Sequence, residues 1–347
     1  MGEIAVLIVA IVVGSLVTPF VAWFMRRCRI LDRPESEDRK IHQKPLPLGG
    51  GLAIYITFFG LIVLGQVSGI IFFHTITFGS LFGMFASATI IMIGGLLDDR
   101  YNLKPRQQIW FPVLASLTIL AFGIGPTIIT NPFGGVLDFS HFFWLLDIML
   151  FFWLMGMMFT TKFLDGLDGL VAGVVAIGAL VIFFLTKQPA WYQPEVGFMA
   201  LVLAGSCLGF LIWNFYPAKI FLGEGGSLLT GFLLGVLAII SGSKIITTLL
   251  VMGIPALDVA RVIYHRFKNK RPIFVGDNEH LHFKLVNAGL TQPQAVLLFY
   301  GISLVFGLSA LTLSNHYKLL ALVVLAGVMA GLGTYLSYRQ RRHLWKK

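Results

Sequence analysis

The 347-residue sequence is poor in charge. Asp, Glu, Lys and Arg make up 12% of it, about half of the roughly 25% usual for a soluble domain, while 57% of the residues are hydrophobic. That deficit argues against the two water-soluble domains that the length alone would allow. Acid is scarcer than base, with 16 Asp and Glu against 26 Lys and Arg and a net charge of +10. Cysteine is nearly absent: Cys28 and Cys207 build no disulfide framework. The first apolar run, residues 4–25, has no basic stretch ahead of it and is followed by Arg26, Arg27 and Arg29. It therefore reads as a retained span rather than a cleaved secretory signal. There is no soluble domain, low-complexity tract or short-period repeat, so residues 1–347 read as a single membrane domain.

What the sequence has instead is long apolar runs without alternation. Crossing about 30 Å of hydrocarbon takes around 20 apolar residues, and only helices or closed barrels satisfy their backbone there. Unalternated runs favour helices. The expected fold is all-α and polytopic, with about eleven spans at 4–25, 50–73, 77–97, 107–126, 142–162, 166–186, 196–213, 226–242, 245–263, 294–312 and 318–337. With the N-terminus outside, the loops 26–49, 98–106, 163–165, 214–225 and 264–293 and the tail from 338 fall in the cytoplasm. These segments and their edges hold every Arg and Lys except Lys187, Lys244 and Lys318, as the positive-inside rule requires. The net positive charge is thereby explained by anionic lipid rather than nucleic acid.

Most of the acids fall on the same side. Asp32, Glu35, Glu37 and Asp38 are diluted among arginines, which points to simple solvation. Three other motifs come from three different loops: "GGLLDDRYNLKP" (94–105), "DGLDG" (165–169), whose Asp165 and Asp168 lie three apart and so roughly on one helix face, and "FLGEGGS" (221–227). Each alone has a plainer explanation, as a solvated helix end, a capped turn or glycine packing. Together they cluster carboxylates that repel one another unless a cation pairs with them. A hard divalent ion such as Mg2+, with Mn2+ as a substitute, suits an oxygen-only site and keeps waters and substrate phosphates in its shell. Spans that start on this side also aim their positive N-termini at it, and Gly49, Gly50 and Gly51 and then Gly223, Gly225 and Gly226 open two of them, which favours phosphate.

Basic residues complete the set. "RKIHQKPLPLGG" (39–50) offers Lys40, His42 and Lys44, and "GDNEHLHFKL" (276–285) offers His280 and His282. Two histidines at this spacing could bind zinc, but contact with phosphate or protonation of a leaving group suits the hard-oxygen surroundings better. Asp258, in "GIPALDVARV", lies toward the inner end of its span as a structural support; Asp147, nearer the outer side, is given no role.

In this order the motifs resemble those of the polyprenyl-phosphate N-acetylhexosamine-1-phosphate transferases, over residues 32 to 295. "LLDDRYNLKP" resembles the family's Asp-Asp motif, "FLDGLDGL" its Asp-Gly-x-Asp-Gly motif, and "NFYPAKIFLGEGGS" (214–227) the motif that ends in Gly-Asp-x-Gly-Ser. "DNEHLHFKLVNAGLTQPQAV" (277–296) is closer to the His-x-His-His loop of the GlcNAc branch than to the three consecutive histidines of the phospho-MurNAc-pentapeptide translocase branch. The resemblance implies a membrane enzyme whose site faces the cytoplasm. A polyprenyl phosphate attacks the β-phosphate of a UDP-sugar, giving polyprenyl-diphosphate-sugar and UMP. It further implies Mg2+ at Asp98, Asp99 and Glu224, with base action by Asp98 as an alternative to metal binding. Asp165 and Asp168 would organise the nucleotide side, Asn214 would meet the nucleoside, His280 and His282 the diphosphate, and Lys40, His42 and Lys44 phosphate. A homodimer also fits the family.

Four positions depart from the pattern. Glu224 stands where Asp is usual, Phe283 replaces a third histidine, Leu48 replaces an arginine, and Lys162 stands where an asparagine is expected. Lys162 could pair with Asp165 or meet a donor phosphate. A transporter and a silent homologue are the competing readings. A transporter would place its ionisable groups near the midplane, whereas these crowd at one interface.

Overall fold

The computed structural model describes residues 2–32, 45–125, 128–130, 136–138, 142–189, 192–242, 245–269, 280–313 and 315–344. Helices α1 (Glu3–Arg27), α2 (Gly51–Val67) and α3 (Phe78–Tyr101) are followed by the single turn α4 (Pro105–Gln108) and by α5 (Trp110–Ala121). Next, α6 (Phe143–Leu164) and α7 (Leu170–Thr186) flank the DGLDG turn. The chain continues through α8 (Pro194–Asn214), α9 (Gly223–Ile240), α10 (Ile245–Val251), α11 (Gly253–Lys268), α12 (Leu281–Asn287), α13 (Gln292–Thr312) and α14 (Asn315–Leu344). Two short antiparallel ribbons decorate the loops: β1 (Leu31–Asp32) with β2 (Leu46–Pro47), and β3 (Ile128–Thr130) with β4 (Val136–Asp138).

The protein is an all-α, polytopic integral membrane protein. Among the described residues six helices, α1, α3, α6, α8, α9 and α13, are long and apolar enough to cross a membrane. Shorter apolar helices cover Gly51–Val67, Leu170–Thr186 and Tyr317–Gly331. The expected span 245–263 is broken at Met252 into α10 and α11, and the expected span 166–186 becomes helical only at Leu170.

Burial sorts the helices into a hub and a rim. In the apolar window of α9, 89% of residues are buried, against 28% in α1. Rim helix α1 buries one narrow seam, Val6, Ala10, Gly14, Thr18, Val21 and Met25, at helical spacing. Its other faces leave Ile4, Leu16, Phe20 and Trp23 exposed, as lipid-facing surface should be. Small residues let the hub close up: Gly205 and Gly209 of α8 lie against the α1 backbone near Leu7 and Ile11, the packing that bilayer helices use in place of a hydrophobic drive.

The same device aligns the ends of α2, α3 and α9. Gly51 lies against Gly226, and Gly95 against Gly225. The Gly50 and Gly51 amides donate to the carbonyls of Phe221 and Leu222, each at 2.9 Å. The amides of Gly50 and Gly51 are therefore spent on the chain itself rather than left as a phosphate cradle, which corrects the sequence expectation for that glycine run. The glycines bring the Asp-Asp end of α3 to the N-terminus of α9, where Glu224 sits.

Candidate active site

Asp98 and Asp99 occupy the last turn of α3, which ends at Asn102 in a left-handed conformation with φ of 51°. Carboxylates at a helix C-terminus meet the negative end of its dipole, so the position is unfavourable by itself and neighbouring donors offset it. Asp98 Oδ1 accepts the Leu103 backbone N–H at 2.8 Å and the Gln108 side-chain amide at 2.9 Å. Asp99 Oδ1 accepts the Glu224 backbone N–H at 3.0 Å and so caps the positive end of α9. The other oxygen, Asp99 Oδ2, is buried without a hydrogen-bond partner among the described residues. A Cβ built on Gly223 would lie 2.5 Å from it, so this glycine, with φ of +77°, leaves the space that the carboxylate fills.

Lys162, on the last turn of α6, pairs with Glu224, and its Nζ donates to Gln108 Oε1 at 3.0 Å. Asp98, Gln108, Lys162 and Glu224 thus form one polar chain across α3, α4, α6 and α9. The expected alternative, a Lys162–Asp165 bridge, gives way to the pair with Glu224. Gln108, Lys162 and Glu224 form one wall of a cavity whose remaining lining, Pro105, Ile109, Pro112, Phe159, Phe163 and Leu228, is apolar.

The DGLDG acids do not share a helix face. Asp165 caps the C-terminus of α6, and Asp168 lies in the turn before α7. Their spacing of three led to the expectation of a helix there, but Gly169, at φ of +80°, stops a regular helix from passing through the motif. Asp168 Oδ2 accepts the Ala218 backbone N–H at 2.9 Å. Asn214 is buried, accepts the Gly169 N–H at 3.0 Å and donates to the Ile220 carbonyl at 2.9 Å. Asn214 thus holds the turn with both ends of its amide. Asp165 has an exposed face, yet the protein atoms crowded around it, and then Glu224 and Asp168, push its carboxyl up to about 8.

The pattern of glycosyl transferase family 4 matches residues 81–242, which carry all these acids. A decaprenyl-phosphate N-acetylglucosaminephosphotransferase of Mycobacterium leprae is 30% identical over 96% of this chain and 89% of its own length. The chain belongs to glycosyl transferase family 4. A probable undecaprenyl-phosphate N-acetylglucosaminyl 1-phosphate transferase of Bacillus subtilis is 29% identical, covering 92% of this chain and 87% of the relative. A phospho-N-acetylmuramoyl-pentapeptide-transferase of Moorella thermoacetica is also 29% identical, covering 88% and 97%.

Beyond the segment matched by the family 4 pattern, the late loop supplies two histidines. His280 and His282 are buried and stack on each other with ring centroids 5.6 Å apart, while Phe163 stacks on the outer face of His280 at 5.8 Å. His280 Nδ1 lies 2.9 Å from Asp258 Oδ2, which also accepts the Leu281 backbone N–H at 2.9 Å. Arg261 holds the other Asp258 oxygen at 2.8 Å. Both ring nitrogens of His282 are buried without partners among the described residues, and its ring lies beside Gly166 of the DGLDG turn. Burial, and then His280, pull the His282 imidazole down to about 3, so it is neutral at ordinary pH. Lys40, His42 and Lys44 lie outside the described residues.

Sequence reasoning missed three of these participants. Gln108 was absorbed into an apolar span, although its place just after "DDRYNLKP" marked it as part of the acidic loop. Phe163 and Arg261 carry no signal in sequence that separates them from packing and topology residues. Among the described residues no three His, Cys, Asp or Glu side chains form a ready-made metal cluster. A Mg2+-type site needs only one or two carboxylates when waters and substrate phosphate complete it. Asp99 Oδ2, buried and unpartnered, is the kind of oxygen that such a site uses.

Proposed function

We propose that this chain transfers an N-acetylhexosamine-1-phosphate, with GlcNAc as the sugar, from a UDP-sugar to a polyprenyl phosphate. An oxygen of the lipid phosphate attacks the donor's β-phosphorus, the bond from that phosphorus to the bridging oxygen breaks, and UMP leaves with that oxygen. The observation that carries the reading is the junction where Asp99 caps the helix of Glu224 and Asp98 is tied to Glu224 through Gln108 and Lys162, beside a largely apolar cavity. A lipid phosphate needs such a pairing, an anion-handling wall next to an apolar channel. The names of the Bacillus and Mycobacterium relatives support the same chemistry.

In this reading the cavity takes the first isoprene units against Phe159, Phe163 and Pro112 and places the lipid phosphate at Lys162. Asp98, Asp99 and Glu224 would hold Mg2+ or Mn2+, which when bound offsets charge on the donor's diphosphate. A phosphate monoester has its second pKa near 6, so the nucleophile is already ionised at neutral pH and Asp98 need not act as a base. Asp258 holds one nitrogen of His280 and leaves the other for the donor's diphosphate. Asp168 and Asn214 keep the DGLDG turn against the 214–222 loop, so that Asp165 faces the nucleotide side. We place the N-terminus outside and the site on the cytoplasmic face of the cell membrane, with eleven crossings, because basic residues gather on that side.

The test is to incubate purified protein with undecaprenyl phosphate, Mg2+ and a panel of UDP-sugars and to measure UMP. The reading expects UMP with UDP-GlcNAc. No UMP with any donor, together with solute crossing of vesicles containing the protein, would replace the enzyme with a transporter.

A further inference from the structure

Lys162 stands inside the acid cluster rather than at its edge. Its ammonium pairs with Glu224 and is tied through Gln108 to Asp98, so it bridges two of the three carboxylates that the transferase reading gives to a metal. The Lys162 and Glu224 side chains are only 20% and 17% exposed, which reduces the solvent screening that makes surface pairs weak. A divalent ion approaching Glu224 therefore meets an ammonium already bound to that carboxylate, and the two cations repel at close range. Lys162 also lines the apolar cavity with Phe159 and Phe163. A phosphate brought in by a lipid tail lying there would offer Lys162 a doubly charged partner.

We propose that Lys162 couples metal binding to phosphate binding. In the substrate-free protein it holds Glu224 and keeps the divalent ion weakly bound. An arriving phosphate monoester takes over the ammonium, Glu224 is released, and the ion binds tightly. Coupling of this kind is reciprocal, so the ion strengthens phosphate binding by the same factor. The inference rests on the transferase reading for the identity of the phosphate ligand, while the Lys162–Glu224 pair stands without it.

The test is calorimetric titration of Mn2+ into the purified full-length protein in detergent, alone, with undecaprenyl phosphate, and with UMP. For the native sequence, affinity should rise about tenfold or more when the phosphate is present. The arm that produces the rise identifies its source, and the apolar cavity favours the lipid. Lys162→Gln should bind Mn2+ tightly without any phosphate and gain nothing when it is added. Glu224→Asp, which keeps a carboxylate but draws it away from Lys162, should shift in the same direction; it serves if Lys162→Gln fails to fold. Unchanged or weaker Mn2+ binding in a folded variant, or native affinity indifferent to both phosphates, would overturn the coupling. UMP release, measured in parallel, separates the two ideas: coupling without turnover removes the transferase reading alone, and turnover without coupling removes this inference alone.

Discussion

Asp258 on α11 holds His280 by its Nδ1 at 2.9 Å and, with the same oxygen, holds the Leu281 N–H that starts α12. One carboxylate therefore fixes both the histidine ring and the helix behind it, in a pocket closed by Phe163 and His282. Asp258→Asn keeps the shape but can offer His280 an amide N–H instead of an acceptor, which favours the other tautomer. We expect kcat/KM to fall roughly 10- to 100-fold, the usual cost of losing an orienting partner. KM for the UDP-sugar should rise more than kcat falls, which a purely structural role would not produce. Normal activity in the variant would show that His280 does not act through this contact.

Asp99 has two duties, capping α9 through Oδ1 and presenting Oδ2. Asp99→Asn can still accept the Glu224 N–H through its amide oxygen, so the fold should survive. Turnover should drop by at least about a hundredfold, by analogy with the removal of one electrostatic stabiliser from an active site. Thermal unfolding of the variant alongside its UMP release checks both halves. Retained turnover would mean that the unpartnered oxygen does not serve the reaction.

The glycine contacts between α2 and α9 make a packing prediction. A Cβ on Gly226 would lie 2.7 Å from Gly51 Cα, so Gly226→Ala should destabilise by about 1–3 kcal/mol through overpacking and displace Glu224. Gly156→Ala, where a Cβ meets nothing within 4 Å, should be neutral or mildly stabilising. The comparison is read from unfolding midpoints in detergent. Equal midpoints for both variants would refute the close approach of the two helix starts.

His282 makes stability depend on pH. Its folded pKa, about 3, lies below the ordinary value near 6.5, so between those limits the unfolded chain binds the extra proton. The stabilisation is present above pH 6.5 and is lost as pH falls through the window. His282→Phe should flatten the unfolding temperature between pH 5 and pH 7 relative to the native sequence. A variant with the same slope would show that another group controls it.

Much of the fold was legible because the bilayer imposes a simple rule on composition: the apolar runs around α1, α3, α6, α8, α9 and α13 declared themselves by length. The break at Met252 was overlooked because apolar residues continue through it, although Gly253 and Pro255 signal it locally: the proline has no N–H to bond back to the Val251 carbonyl, which accepts from Ser303 instead. The carboxylates of the site were visible as charges without local reason, and the ends of α3 and α9 that carry Asp98, Asp99 and Glu224 do come together. Their partners were not visible. Whether Lys162 reaches Asp165 or Glu224 depends on how α6 and α9 are placed by Gly231 against Thr161, a relation between helices 70 positions apart in sequence. Likewise, a spacing of three suggested one helix face for Asp165 and Asp168, and the positive φ of Gly169 overruled it.

The central claim is that the sugar moves together with one phosphate. UDP-GlcNAc labelled with 32P at either the α or the β position, incubated with the protein, undecaprenyl phosphate and Mg2+, tests it directly. Transfer of GlcNAc-1-phosphate puts β label in the lipid fraction and α label in UMP, in equal amounts. β label left in UDP while GlcNAc appears on the lipid, or no transfer of either label, would contradict it.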